Sequence, residues 1–219
     1  MTKIKICGIK EEAHALALAE AGVDFLGLVF AHSPRQVTTA RAKKIISALK
    51  KNNATVEVVG VFVNAHVGTV NRIADACNLD WVQLSGDEPW QYCRELARPV
   101  IKVIRVSRNY KPEPICADLA YGTRLLADQK HVFMLDSNVR EKYGGTGQTF
   151  DWKLAKPIAR QFPVIVAGGM TPDNVARAIK VISPWGVDVS SGVETKGVKD
   201  MAKIMKFIEA VKGADDVQT

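Results

Sequence analysis

Several apolar runs in this chain end in side chains that can do chemistry. Lys-Ile-Lys-Ile-Cys at 3–7 alternates, so Lys3, Lys5 and Cys7 share one face of an extended segment and Ile4 and Ile6 the other. Cys7, followed by Gly8, therefore differs in placement from Cys77 and Cys93, which sit in helix-like stretches; its alternative is the usual one for cysteine, a small buried hydrophobe. His131-Val-Phe-Met-Leu-Asp136 ends in a carboxylate, a group that elsewhere only caps turns. Phe30-Ala-His-Ser-Pro-Arg35 supplies a guanidinium that can hold a carboxylate through two parallel hydrogen bonds, or lie on the surface as arginines do. Ala167-Gly168-Gly169 and Gly186-Val-Asp188-Val-Ser190-Ser191-Gly192 are clusters of small residues, which let backbone amides approach an anion closely.

Positioning these residues is the task of a regular alternation. Strand-like runs begin near Lys3, Asp24, Glu57, Asp80, Val100, Val132, Val164 and Gly186, and helical spacing covers 11–21, 39–51, 67–77, 89–97, 117–127, 151–161, 172–182 and 199–211. Thr38 or Thr39 and the pair Thr171-Pro172 read as helix starts, an N-cap followed in the second case by a first-turn proline. Runs such as VVGVFV and PVIVAGG are rich in β-branched residues without polar alternation, as parallel strands covered by helices are. Eight β/α units in 219 residues predict a single-domain α/β fold, a (β/α)8 TIM barrel, with the tail from about 213 frayed. An open doubly wound sheet would carry fewer strands and an early glycine-rich dinucleotide turn. In such a barrel the strands' carboxyl ends carry the active site. Cys7, Arg35 and Asp136 fall there, and the clusters after the seventh and eighth strands fall where barrels frequently bind phosphate.

Composition narrows the field further. With 47% hydrophobic and 24% charged residues the chain is globular, and no apolar run approaches the roughly 18 residues of a membrane span, so a cytosolic protein without a membrane partner is expected. The net charge of +7 could attract nucleic acid, an acidic surface or a small phosphorylated substrate and by itself selects none of them; it is spread along the chain with no basic stripe interleaved with aromatics, and no nucleic-acid partner is expected. The four cysteines and four histidines show no CxxC or HExxH spacing, so no metal site is expected. A monomer is the default for want of an extra interface segment.

The blocks KICGI at 5–9, SPR at 33–35, VGVFVN at 59–64, QLSG at 83–86, MLDS at 134–137, GGTGQTFDW at 144–152, AGGMTPDNV at 167–175 and GVDVSSGVE at 186–194 together resemble the phosphoribosylanthranilate isomerase family. The resemblance implies an Amadori rearrangement in tryptophan biosynthesis, N-(5-phosphoribosyl)anthranilate to 1-(2-carboxyphenylamino)-1-deoxyribulose 5-phosphate, without metal or redox cofactor. It implies Cys7 as general base, Asp136 as general acid and Arg35 as partner of the anthranilate carboxylate. Gln83 and Asp188 are implied as further polar contacts, and Gly168, Gly169, Ser190, Ser191 and Gly192 as the phosphate site. One departure stands out. Ser85 occupies the position where that family commonly has histidine, on the same strand face as Gln83.

The chemistry so implied makes demands on the site. At pH 7 an ordinary thiol is only about 3% thiolate and an ordinary aspartate roughly 0.1% protonated, so burial of the acid and a cation such as Lys5 near the thiol are expected. Another phosphosugar enzyme on the same barrel would share the phosphate cradle, and the combination of Cys7, Arg35 and Asp136 argues against it; a silent anion-binding protein, suggested by the positive charge, would show as tight phosphosugar binding without conversion. The glycine-rich Gly144-Gly145-Thr146-Gly147 is a candidate for closing over the ligand.

Overall fold

A computed structural model describes residues 1–107, 110–137 and 151–216. Eight strands, β1 (Lys3–Cys7), β2 (Phe25–Val29), β3 (Glu57–Phe62), β4 (Trp81–Leu84), β5 (Val100–Val106), β6 (His131–Ser137), β7 (Val164–Val166) and β8 (Gly186–Val189), follow one another in a closed barrel. The helices between and after them are α1 (Glu12–Glu20), α2 (Thr39–Lys51), α3 (Val67–Cys77), α4 (Trp90–Arg94), α5 (Pro112–Leu125), α6 (Trp152–Ala159), α7 (Val175–Ile182) and α8 (Met201–Asp216). The fold is the (β/α)8 barrel expected from the alternation.

The contacts divide the chain into two compact units. One comprises Lys5–Lys102 with Thr123–His131, the other Met1–Ile4, Val103–Gly122 and Val132–Thr219. In the first, strands pair in parallel with Cys7 opposite Gly27, Gly27 opposite Val59 and Val61 opposite Gln83. Helix α2 buries Ala42, Ile45, Ile46 and Leu49, the spacing of one helical face, and starts where the Thr38 side chain accepts the amide of Arg41. Helix α3 ends at Asn78 in the left-handed conformation that asparagine tolerates. Trp81 packs edge-on to Phe25 at 5.9 Å, donates to the Glu57 carboxylate and carries the Lys130 ammonium 4.6 Å above its ring.

In the second unit, α7 buries Val175, Ala178, Ile179 and Ile182, and α8 buries Ile204, Phe207, Ile208 and Val211. Leu135 pairs with Val166 and Val166 with Val187, while the amide of Lys3 donates to the Trp185 carbonyl at 3.0 Å.

Several boundaries differ from the sequence reading, each for a local reason. Helix α5 begins at Pro112 rather than near 117, because first-turn amides need no intrahelical partner and prolines are tolerated there. Helix α4 stops at Arg94: Asn71 of α3 takes the Glu95 carbonyl and the Ala97 amide, at 2.8 and 3.0 Å. Thr171 is not the cap of α7. Residues 172–174 form a turn and Asn174 flanks the helix, its amide group bonded to the Gly169 carbonyl and the Thr171 amide, both at 2.8 Å. Residues 213–216, expected to fray, are helical, and the Asp215 carboxylate accepts the Thr2 amide and hydroxyl, each at 2.6 Å. Lys199, expected to open the last helix, lies instead on a small hairpin, β9 (Glu194–Thr195) and β10 (Val198–Lys199).

Candidate active site

Strand β1 buries Lys5, 0% exposed, and Cys7, 8%, along with Ile4 and Ile6. The thiol side chain lies against Gly27, whose missing side chain would meet Cys7 Sγ at 2.7 Å, and packs with Val29, Val61 and Ala31. Arg35 arrives over the next residue. A side chain on Gly8 would meet Arg35 Cδ at 2.5 Å, so the guanidinium stem crosses the backbone immediately after Cys7, and only glycine permits it. The loop bearing Arg35 is anchored, with the Arg35 amide on Ser33 Oγ at 3.1 Å, the Lys10 ammonium on the Pro34 carbonyl at 3.3 Å, and the Val37 amide on the Val29 carbonyl at 2.8 Å. A thiol and a guanidinium therefore share the carboxyl end of β1.

Further round the same unit, Gln83 on β4 is 5% exposed and donates through Nε2 to Ser85 Oγ at 3.0 Å. Its Oε1 is buried without a hydrogen-bond partner, an omission that costs about 1–3 kcal/mol unless a ligand or water supplies a donor. Below this pair runs a network that the sequence did not announce. Glu88 accepts the Asn64 amide at 2.7 Å and the Gly86 amide at 3.0 Å, and meets the Lys102 ammonium at 3.4 Å, with the two side chains only 2% and 7% exposed. Asn64 in turn accepts the Asp87 amide at 2.7 Å. These bonds pin the segments that follow β3 and β4.

In the other unit, Asp136 follows the buried run 132–135 of β6, is itself only half-buried where the sequence reading expected burial of the acid, and rests on the loop after β7. Gly168 has φ +84°, and a Cβ there would stand 2.7 Å from Asp136 Oδ1 and 2.7 Å from the Ser137 amide. Gly169 follows, also at positive φ, with its carbonyl held by Asn174. Gly192 packs so tightly on the Met170 carbonyl that no Cβ fits, which joins the loops after β7 and β8. Asp188 is 8% exposed on β8, and Ser191–Val193 form a 3₁₀ turn. Lys199 holds that turn from behind, donating to the Ser190 carbonyl at 2.8 Å and to Glu194 Oε1 at 2.7 Å. Thus Gly168, Gly169, Ser190, Ser191 and Gly192 belong to two adjoining loops, while Gly144-Gly145-Thr146-Gly147 lies outside the described residues.

A cleft of about 480 Å³ lies elsewhere, lined by Leu49, Val56, Glu57, Asp80 and Arg98 at the amino ends of β3 and β4, and contains none of these side chains. Burial pushes the Cys77 and Cys116 thiols up and Cys93 to about 11, so these three are held as neutral thiols. Among the described residues, no group of three or more His, Cys, Asp or Glu could hold a metal ion, and no helix is long and apolar enough to cross a membrane.

Residues 4–210 match the family model of N-(5'phosphoribosyl)anthranilate (PRA) isomerase. The chain belongs to that isomerase family. Its relative from Dehalococcoides mccartyi, an N-(5'-phosphoribosyl)anthranilate isomerase, is 49% identical over 215 residues, 98% of each chain. The crystal structure of the isomerase from Thermotoga maritima superposes with a TM-score of 0.83 at 36% identity, covering 97% of this chain and all (100%) of that one. An isomerase solved in complex with reduced 1-(o-carboxyphenylamino)-1-deoxyribulose 5-phosphate gives 0.79 at 35% identity, covering 97% of this chain and 100% of its own. Within the isomerase frame, Ser85 stands hydrogen-bonded to Gln83.

Proposed function

We propose that this chain catalyses the Amadori rearrangement of N-(5-phosphoribosyl)anthranilate, with Cys7 as general base and Asp136 as general acid. Asp136 protonates the ring oxygen, the C1′–O bond breaks, and the nitrogen lone pair closes a protonated Schiff base. Cys7 then removes the proton on C2′, leaving an enolamine that takes a proton at C1′, gives up the proton of its 2′-hydroxyl and becomes the ketose. No atom or electron is exchanged with a cofactor. Arg35 holds the anthranilate carboxylate, Gln83 and Asp188 make polar contacts, and Gly168, Gly169, Ser190, Ser191 and Gly192 bind the phosphate.

One observation carries this reading: Ser137 Oγ and the Asp136 carboxylate together fill the space where a side chain on Gly168 would stand. The acid and the loop assigned to the phosphate are thereby built as one piece, so anchoring the phosphate also fixes the sugar relative to the proton donor. The direct test adds purified protein to freshly made phosphoribosylanthranilate and follows the loss of anthranilate fluorescence. Cys7→Ala and Asp136→Asn should each cost on the order of 10²–10⁴ in turnover with the fold intact. Near-normal turnover in either variant removes that residue from the mechanism, and no fluorescence change with the unaltered protein refutes the function.

A further inference from the structure

Gln83 and Ser85 alternate onto one face at the carboxyl end of β4, and the buried Oε1 of Gln83 lacks a donor. Its register partner is Val61, which packs in the cluster around the Cys7 side chain. The unmatched acceptor therefore stands on the strand next to the thiol's own packing patch, in the unit that also brings Arg35 over Gly8. An amide has two unlike ends. Rotation by half a turn would present NH₂ instead of oxygen; in the arrangement present Nε2 donates to Ser85 Oγ at 3.0 Å, which leaves the oxygen as the end that lacks a partner.

We infer that Ser85 is a positioning residue that holds the Gln83 amide so that its carbonyl oxygen accepts a hydrogen bond from the N–H of the substrate's anilino nitrogen. The inference rests on the proposed function and deepens it. That N–H is ortho to the carboxylate assigned to Arg35 and is bonded to C1′, beside the C2′ whose proton Cys7 takes. It remains a donor in the glycosylamine, the protonated Schiff base and the product, and of these it bears positive charge only in the protonated Schiff base. A fixed neutral acceptor thus favours the intermediate over the ground state, because hydrogen bonds to charged groups are the stronger ones. A donating NH₂ in the same place would oppose it.

The test compares binding of reduced 1-(o-carboxyphenylamino)-1-deoxyribulose 5-phosphate with its counterpart carrying an ether oxygen in place of N–H, by titration calorimetry, alongside turnover. The unaltered protein should prefer the amine by roughly tenfold or more, the loss expected when an acceptor faces an acceptor. Gln83→Met should bring the two ligands within about twofold. Ser85→Ala should cut the preference several-fold and lower kcat more than it raises KM, and Ser85→Thr, which keeps the hydroxyl, should restore both. Equal binding of the two ligands by the unaltered protein, or full preference retained in Ser85→Ala, overturns the inference while turnover persists. Absence of both binding and turnover in the unaltered protein instead sinks the proposed function, and the inference with it.

Discussion

Replacing Gly168 by alanine separates the seating of Asp136 from general backbone strain. At φ +84° a side chain costs about 1–2 kcal/mol in any surroundings, and the new Cβ would collide with Ser137 Oγ and stand 2.7 Å from both Asp136 Oδ1 and the Ser137 amide. Ordinary van der Waals contact begins near 3.4 Å, so the carboxylate must retreat by about 0.7 Å. Misplacing a reacting group by about 1 Å costs on the order of a hundredfold in rate, so kcat should fall by roughly 30- to 100-fold. Gly197 is the control: it has φ +78° and nothing within 4 Å of where an added methyl would stand, so Gly197→Ala carries the same conformational cost without the collision. Gly197→Ala should lose about 2–8 °C in Tm, as expected for about 1–2 kcal/mol in a domain of this size, and Gly168→Ala at least as much. Only Gly168→Ala should lose turnover, read from anthranilate fluorescence under saturating substrate. Equal kcat in the two variants would refute the claim that the glycine exists to seat the carboxylate.

How far the sequence could be read follows from how local each determinant is. Helices α2 and α3 begin and end where periodicity and capping residues place them, at 39–51 and 67–77, because Thr38, the apolar spacing and Asn78 act within a turn or two of chain. The strand ends bearing Cys7 and Asp136 were legible for the same reason, as alternation and an apolar run ending in a polar residue are local patterns. The misplaced boundaries depend on distant partners. Asp215 keeps the last turn of α8 helical through Thr2, which lies 213 residues away in sequence. Asn174 delays α7 by gripping Gly169, and Lys199 leaves the helix to hold Ser190. Nothing local in the polar stretch Asp87-Glu88-Pro89 announces the burial of Glu88, on which two amides and Lys102 converge. The orphaned oxygen of Gln83 was likewise invisible, since an unmet hydrogen bond is a property of the assembled interior.

Three further outcomes test the reading. Arg35→Ala should lower kcat/KM by about 2–4 kcal/mol, roughly 30- to 1,000-fold, with Tm little changed; an unchanged specificity constant would remove the carboxylate clamp. Glu88→Ala should destabilise by about 3–5 kcal/mol, since it strands the buried Lys102 ammonium and two amides, and a Tm within about 3 °C of the unaltered protein would contradict the network's role. The third concerns alkaline pH. Burial raises the Cys93 thiol to about 11, with Lys102 opposing the rise and Glu88 adding to it. The folded state therefore holds this proton more tightly than the unfolded chain, whose thiol titrates near about 8.5. Its contribution to stability is complete below that pH and is lost as pH climbs toward 11, by about 3 kcal/mol in all. Urea midpoints measured from about pH 8 to 11 should fall more steeply for the unaltered protein than for Cys93→Ala, which has no thiol to ionise. Parallel slopes would mean that Cys93 ionises as easily folded as unfolded, and that its burial on α4 imposes no such penalty.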